Sequence, residues 1–201
     1  MAEHNRLTKA GRPYRMRARA AAMDRTRERI TRAAVELHGT IGPAATTMSA
    51  VAELAGVTRA TLYRHFPNEV ALFMACSTDW LAANPRPDPA GWAAVDDPVR
   101  RLGAALAELY AYYRSTEQMR SNLLRDIDVI PEKFRPGIVG FPPTTIQVLE
   151  AGWPELSGAH LRHAAIGHAV GFETWRSLAK EGLADQDAAE LMVRFVAGIG
   201  N

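Results

Sequence analysis

The sequence predicts an all-α protein. Three observations carry that: 35 of the 201 residues are alanine, apolar side chains recur at i, i+3, i+4 and i+7 along most of the chain, and no stretch alternates apolar with polar residues as strands do. With 47% apolar and 23% charged residues the chain can build a real core, which excludes disorder throughout. No apolar run approaches the ~20 residues that span a bilayer. A single cysteine, Cys76, excludes an intrachain disulfide and a cysteine-based zinc site.

Charge is distributed unevenly. Residues 1–79 hold 12 Lys/Arg and 7 Asp/Glu, whereas residues 80–201 hold 12 and 15. Only the first part is thus suited to meet a polyanion. Within residues 1–30 nine basic residues face Glu3, Asp24 and Glu28, and Gly11 and Pro13 suggest a flexible basic arm over residues 1–23. The short apolar run from Ala18 to Ala22 is no secretory segment, and the expected location is the cytoplasm.

A first helix begins at Asp24, a suitable N-cap, with Ile30, Ala33, Ala34 and Leu37 on one face. Gly39 and Gly42-Pro43 end it. Thr47 caps a second helix with Met48, Val51, Ala52 and Ala55 inside, and Gly56 stops it. Thr58 caps a third through Phe66, and Pro67-Asn68 opens a fourth to about Ala83. After a proline-rich break, Asp97-Pro98 starts a helix to about Arg114, and Thr116 caps another. Residues 129–143 leave room for a short turn only. Thr144 to Ala151 is helical, Ser157 to Glu181 reads as one long helix, and Asp185 caps the last, for nine in all. The expected domains are the arm, a DNA-binding domain over 24–79, and an effector-binding and dimerisation domain over 80–201.

The informative stretch is Thr47 to Phe66. Ala52, Gly56 and Leu62 stand at i, i+4 and i+10, flanked by Val51 and Val57. Ala52 is small enough for a second helix to cross close by, Gly56 can take a positive φ where the chain reverses, and Leu62 packs back into the angle. This is the pattern of a helix-turn-helix.

Here the sequence resembles the TetR family of bacterial transcriptional regulators. The resemblance is carried by Ile30-Thr31-Arg32-Ala33-Ala34, Gly42, Thr47, Val51-Ala52, Ala55-Gly56-Val57-Thr58, Thr61-Leu62-Tyr63-Arg64-His65-Phe66, and Leu72-Phe73. It implies an N-terminal three-helix DNA-binding domain with a helix-turn-helix, joined to a larger helical receiver and dimerisation domain. Three positions depart from the family pattern: His38 for a Phe, Ala60 for a Gly, and Asn68 for a Lys that often contacts phosphate.

In a helix-turn-helix the N-terminal residues of the second helix meet base edges in the major groove of double-stranded DNA. Thr58, Arg59, Ala60 and Thr61 occupy that end. Arg59 has the fork for guanine O6 and N7, and the methyls of Ala60 or Thr61 suit thymine. Tyr63, Arg64 and His65 follow, with Tyr63 and His65 expected on phosphates from the resemblance. Thr47 is placed for a phosphate through its hydroxyl and nearby amides. Arg12, in Gly11-Arg12-Pro13, resembles the core of an AT-hook, an extended segment for the minor groove.

For a small-molecule effector of unstated identity, Tyr110, Leu123, Ile127, Phe141, His168, Phe172 and Trp175 are the expected lining. His168 reads equally as a core residue on an apolar stripe with Leu161, Ala164, Phe172 and Trp175. A homodimer is expected through Ala165, Ala169, Arg176, Leu191, Met192, Phe195 and Val196. His160, His163 and His168 fan too widely around one helix to hold a metal ion. No nucleophile, paired-carboxylate or phosphate-loop constellation stands out, so no enzyme, metal or cofactor is expected. The best reading is a ligand-responsive repressor of a palindromic operator; the alternative is a ligand- or protein-binding module of the same fold with weak DNA affinity.

Overall fold

The structure, a computed structural model, describes residues 7–154 and 159–199. Among them every regular element is helical. The chain divides into two compact units, residues 1–83 and 84–201.

The first unit holds α1 (Leu7–Thr40), α2 (Met48–Leu54), α3 (Arg59–His65) and α4 (Glu69–Ala83). Residues 7–23, expected as part of a flexible arm, instead continue as helix into the one expected from Asp24, which is therefore no cap. Alanines at 18 and 20–22 favour helix strongly enough to join them to the packed part. Among the α1 side chains that the structure describes, the buried ones lie in its C-terminal third and include Ile30, Thr31, Ala33, Ala34 and His38. The helix stops where Gly42, at φ 91°, lets its N–H donate to the Leu37 carbonyl at 3.1 Å. Ile30, Ala34, Val51, Ala52, Leu62, Phe66, Leu72 and Cys76 form one apolar core. Cores of this kind, rather than propensity, hold helices of only seven residues such as α2 and α3.

The second unit contains α5 (Pro89–Ala93), α6 (Pro98–Arg125), α7 (Arg135–Val139), α8 (Pro143–Glu150), α9 (Ala159–Ala169), α10 (Phe172–Lys180) and α11 (Asp185–Ala197). Its spine is α6, opened by Asp97, whose Oδ1 accepts the Arg100 N–H at 2.7 Å. Leu102, Ala105, Leu106, Leu109, Tyr110 and Tyr113 line its buried face, and α11 packs against both α6 and α9.

Three expectations about helices are corrected. Thr116 does not cap a new helix: its side chain turns inward and Oγ1 donates to the Tyr112 carbonyl at 2.6 Å, so α6 runs unbroken to Arg125. The long helix expected to Glu181 is divided at Val170–Gly171, where a Cβ on Gly171 would come within 3.1 Å of the His168 carbonyl. Asp185 lies inside the first turn of α11, after Ala184 at the N-cap. There it accepts from Arg114 at 2.7 Å and from Trp175 Nε1 at 2.9 Å. With α5 added, and with α7 where only a short turn was expected, the described residues contain eleven α-helices rather than nine.

Buried arginines shape this unit. Arg101 is 6% exposed. Its Nε donates to the Val95 carbonyl at 2.8 Å, NH2 to Asp96 at 3.0 Å, and NH1 to both Val148 and Ala151. One guanidinium thereby ties the segment after α5 to the end of α8. Arg162 is buried over the Trp153 ring and donates to the carbonyls of Pro154 and Ile199.

Candidate nucleic-acid interface

The turn between α2 and α3 is built as the motif requires. Gly56 sits at φ 63°, and the Val57 N–H donates to the Ala52 carbonyl at 2.9 Å. Both helices carry threonine N-caps. Thr47 Oγ1 accepts the Ala50 N–H at 3.1 Å, and Thr58 Oγ1 accepts the Thr61 N–H at 3.2 Å. Thr58 also donates its hydroxyl to Thr61 Oγ1 at 3.0 Å, so the Thr61 side chain belongs to the cap. Leu62 and Phe66 are fully buried.

What remains outside is the face on which the DNA contacts are expected. Thr47, Thr58, Arg59, Ala60, Tyr63 and Arg64 are exposed, and Thr61 and His65 are half-buried. Arg59 and Tyr63 lie one turn apart, with the Arg59 guanidinium 6.0 Å from the Tyr63 ring centre. Tyr63 is 41% exposed, which places it at the surface rather than in the core. Burial, then the nearby Arg64 and Arg27, hold the His65 pKa below 6.5.

One residue at this site takes a role that the sequence did not disclose. Arg27 of α1 lies 4.1 Å over the Phe66 ring and donates from NH1 to the His65 carbonyl at 2.9 Å. It fastens the C-terminal end of α3 to α1, and with the partners 38 positions apart no local signal announces it. Asn68 caps α4, its Oδ1 accepting the Ala71 N–H at 2.9 Å, so its oxygen serves the fold. Gly11 to Pro13 fall within α1 and do not form the extended segment an AT-hook needs; the side chain of Arg12 lies outside the described residues.

In the second unit the expected effector lining is dispersed. Tyr110, Phe172 and Trp175 are buried. Tyr110 Oη donates to the Ala169 carbonyl at 2.8 Å, and the Phe172 and Trp175 rings stand 5.5 Å apart. Leu123, Ile127 and Phe141 are half-buried. His168 is exposed rather than on a buried stripe, because the inward face of α9 is Arg162, Ala165, Ile166 and Ala169. A groove of about 610 Å³ opens between the second half of α6 and α10, lined by Glu117, Gln118, Leu124, Arg125, Glu173 and Arg176 among others. The expected dimer residues also separate. Ala165, Ala169, Met192 and Val196 pack inside the unit, whereas Leu191 and Phe195 are 46% and 51% exposed. Arg176 is half-buried, held by Glu173 at 3.2 Å.

Among the described residues no cluster of His, Cys, Asp and Glu could hold a metal ion. No described helix is long and apolar enough to cross a membrane.

A capped helix pair around a positive-φ glycine, with arginine-bearing residues outward and its own core beneath, defines a helix-turn-helix DNA-binding unit. Residues 30–76 match the family model described as bacterial regulatory proteins, tetR family. No curated protein sequence matches it. Among solved structures it is similar to a TetR-like transcriptional regulator from Rhodococcus sp. RHA1, at 20% identity over 86% of this chain and 96% of that one, with a TM-score of 0.56. It is also similar to NalD, the secondary repressor of the MexAB-OprM multidrug efflux pump in Pseudomonas aeruginosa, at 22% identity over 87% and 94%, TM-score 0.53. A third likeness, to a candidate fatty acid metabolism regulator of Clostridium perfringens, has 15% identity over 85% and 98%, TM-score 0.56. At these identities the likenesses establish the shared fold.

Proposed function

We propose that the protein is a dimeric transcriptional repressor that binds a palindromic operator and is released when a small molecule occupies its second unit. The observation that carries this reading is the exposed face of α3, where Arg59, Ala60, Tyr63 and Arg64 stand outward from a buried Leu62 and Phe66. Arg59 at the first turn reads base edges, and Thr47, Tyr63 and His65 hold phosphates. NalD, of the same fold, is a repressor, which supports the sign of regulation. Binding to fragments selected from genomic DNA, followed across a salt series, is the direct test. A steep loss of affinity with salt is expected from several phosphate contacts. A shallow slope with no preferred sequence would favour the binding-module alternative.

Arg59→Ala is expected to cost ~1–3 kcal/mol on the selected operator and little on random DNA. Tyr63→Phe should weaken both about equally, since a phosphate contact carries no sequence information. Equal loss on both DNAs for Arg59→Ala would remove it from base readout.

Leu161, Leu191 and Phe195 are the large apolar side chains that α9 and α11 leave exposed, and Leu191 and Phe195 lie one turn apart. These form the centre of the proposed two-fold interface, with Arg176 at its edge. Phe195→Glu should convert the dimer to monomer in sedimentation at micromolar concentration and sharply reduce operator affinity. A wild-type monomer under those conditions would defeat the dimer.

A further inference from the structure

The helix α1 runs well past the core it serves. Among its described side chains the first buried one is Ile30, and those of residues 14–29 are exposed apart from a half-buried Thr26. At 1.5 Å per residue, roughly 24 Å of helix separates Tyr14 from Ile30. Over that length the core gives the side chains no role.

These residues are nevertheless sorted by charge. At about 100° per residue, Arg15, Arg19, Arg25 and Arg29 fall within about 120° of one another around α1. Asp24 and Glu28 lie on the other side, roughly 120–160° from the middle of that stripe. Among the described residues none of the four guanidinia has an ion-pair or hydrogen-bond partner. Arg27 points elsewhere and is engaged with His65 and Phe66. Between the four arginines the stripe is filled by Ala18, Ala22 and Thr26, whose hydroxyl is turned back onto the Ala22 carbonyl at 2.9 Å. Small side chains there let an anionic backbone approach the helix between the long ones.

A line of four unneutralised cations about 21 Å long fits a polymer whose negative charges recur closely, and duplex DNA carries one per ~1.7 Å of its axis. The same helix holds α3 through Arg27. Arg15 stands about 18 Å along α1 from that clamp, less than the ~34 Å of one DNA turn. A duplex bound by α3 is thus the polyanion brought nearest to the stripe. An anionic membrane is a poorer match, because helices seated in lipid set a broad apolar face of Leu, Phe or Trp against their cations. Residues 14–29 offer only Tyr14, Met16 and Met23 as large apolar side chains, with Tyr14 and the methionines on opposite sides of the helix.

We infer that the exposed part of α1 is a second DNA-binding element, a basic helix whose Arg15, Arg19, Arg25 and Arg29 lie along phosphates flanking the sequence that α3 reads. Its contacts carry no base identity; they lengthen the site and add salt-dependent affinity. Because the segment is helical, its charges stand at fixed points. The inference rests on the DNA-binding reading above.

The test uses the full chain on the operator selected from genomic DNA, in a duplex with long flanks and in one cut back to the palindrome. The double variant Arg15→Gln, Arg19→Gln removes two cations far from the core and should leave the melting temperature unchanged. On the long duplex it is expected to bind roughly tenfold more weakly, with a salt slope lower by about two per protomer. On the trimmed duplex it should match wild type. Hydroxyl-radical footprinting should show protection beyond the palindrome in wild type and lose it in the variant. Ala22→Pro keeps every charge but breaks the helix ahead of the core, and should lose the same protection and most of the same affinity. Equal affinity and slope for wild type and the double variant on the long duplex would overturn the inference and leave operator binding standing. Full flank protection by Ala22→Pro would also overturn it, reducing the segment to a loose electrostatic tether. Binding to phosphatidylserine vesicles that depends on Arg15 and Arg19, with no effect of either on DNA, would assign the stripe to a membrane instead. A wild-type protein without any preferred DNA sequence would remove the repressor reading, and the inference with it.

Discussion

Arg101→Met should destabilise the second unit by roughly 3–5 kcal/mol, enough to leave it largely unfolded in many contexts. The methionine conserves much of the volume and removes every donor. Four carbonyls, those of Val95, Asp96, Val148 and Ala151, would then lie beside an apolar side chain. A buried acceptor left unsatisfied costs about 1–3 kcal/mol, and the polypeptide can relax enough to rescue some of the four but not all. Arg101→Lys should recover little, because a single ammonium cannot span carbonyls from two segments. Denaturant titration followed by circular dichroism measures it. A loss below about 1 kcal/mol for Arg101→Met would show that water replaces the guanidinium without penalty.

The second large effect is a pH dependence in the first unit. His38 is 8% exposed, packs 5.5 Å from the Phe73 ring, and has its Nδ1 3.5 Å from Cys76 Sγ. Burial lowers its pKa from 6.5 to about 4. The fold therefore favours the neutral ring. The stability this gives is complete above about pH 6.5 and disappears as the pH falls towards 4. The shift corresponds to about 3 kcal/mol over that interval. His38→Phe should be nearly as stable as wild type at neutral pH and should retain that stability through the acid interval, flattening the curve. Parallel curves for the two proteins between neutral and mildly acidic pH would assign the acid loss elsewhere.

The helix-turn-helix was legible in the sequence because each part is local. Thr47 and Thr58 cap the helices that begin one residue later, Gly56 takes the one backbone conformation its turn demands, and Ala52 and Leu62, ten positions apart, share one core. The second unit was less legible for a definite physical reason. Thr116 has the chemistry of a cap, but burial of the α6 face turned its hydroxyl onto Tyr112 and the helix continued. On α9 the apolar period pointed to Leu161 and Ala164, which are exposed, while the inward stripe includes Arg162. A long side chain with a charged end reads as surface in a sequence. Here it covers a tryptophan and bonds two carbonyls far apart in the chain. The buried Arg101 is invisible to periodicity for the same reason, and the partners of both arginines are mostly main-chain groups that carry no residue identity. The split of the expected dimer stripe into buried Ala165 and exposed Phe195 follows from how α9 and α11 rotate against α6, which only tertiary packing decides.

The clamp of Arg27 on the end of α3 has an evolutionary consequence. A seven-residue helix has almost no stability of its own, so α3 takes its rigidity from Leu62, Phe66, the threonine caps and the distant arginine. None of these is Arg59, Ala60, Tyr63 or Arg64. The side chains proposed to choose a DNA sequence and the side chains that keep the helix in shape are different sets. Mutation can therefore rewrite the first set while the second is left alone. A lineage carrying this unit could move from one operator to another through folded intermediates, and a library randomised at those four positions should yield mostly folded proteins.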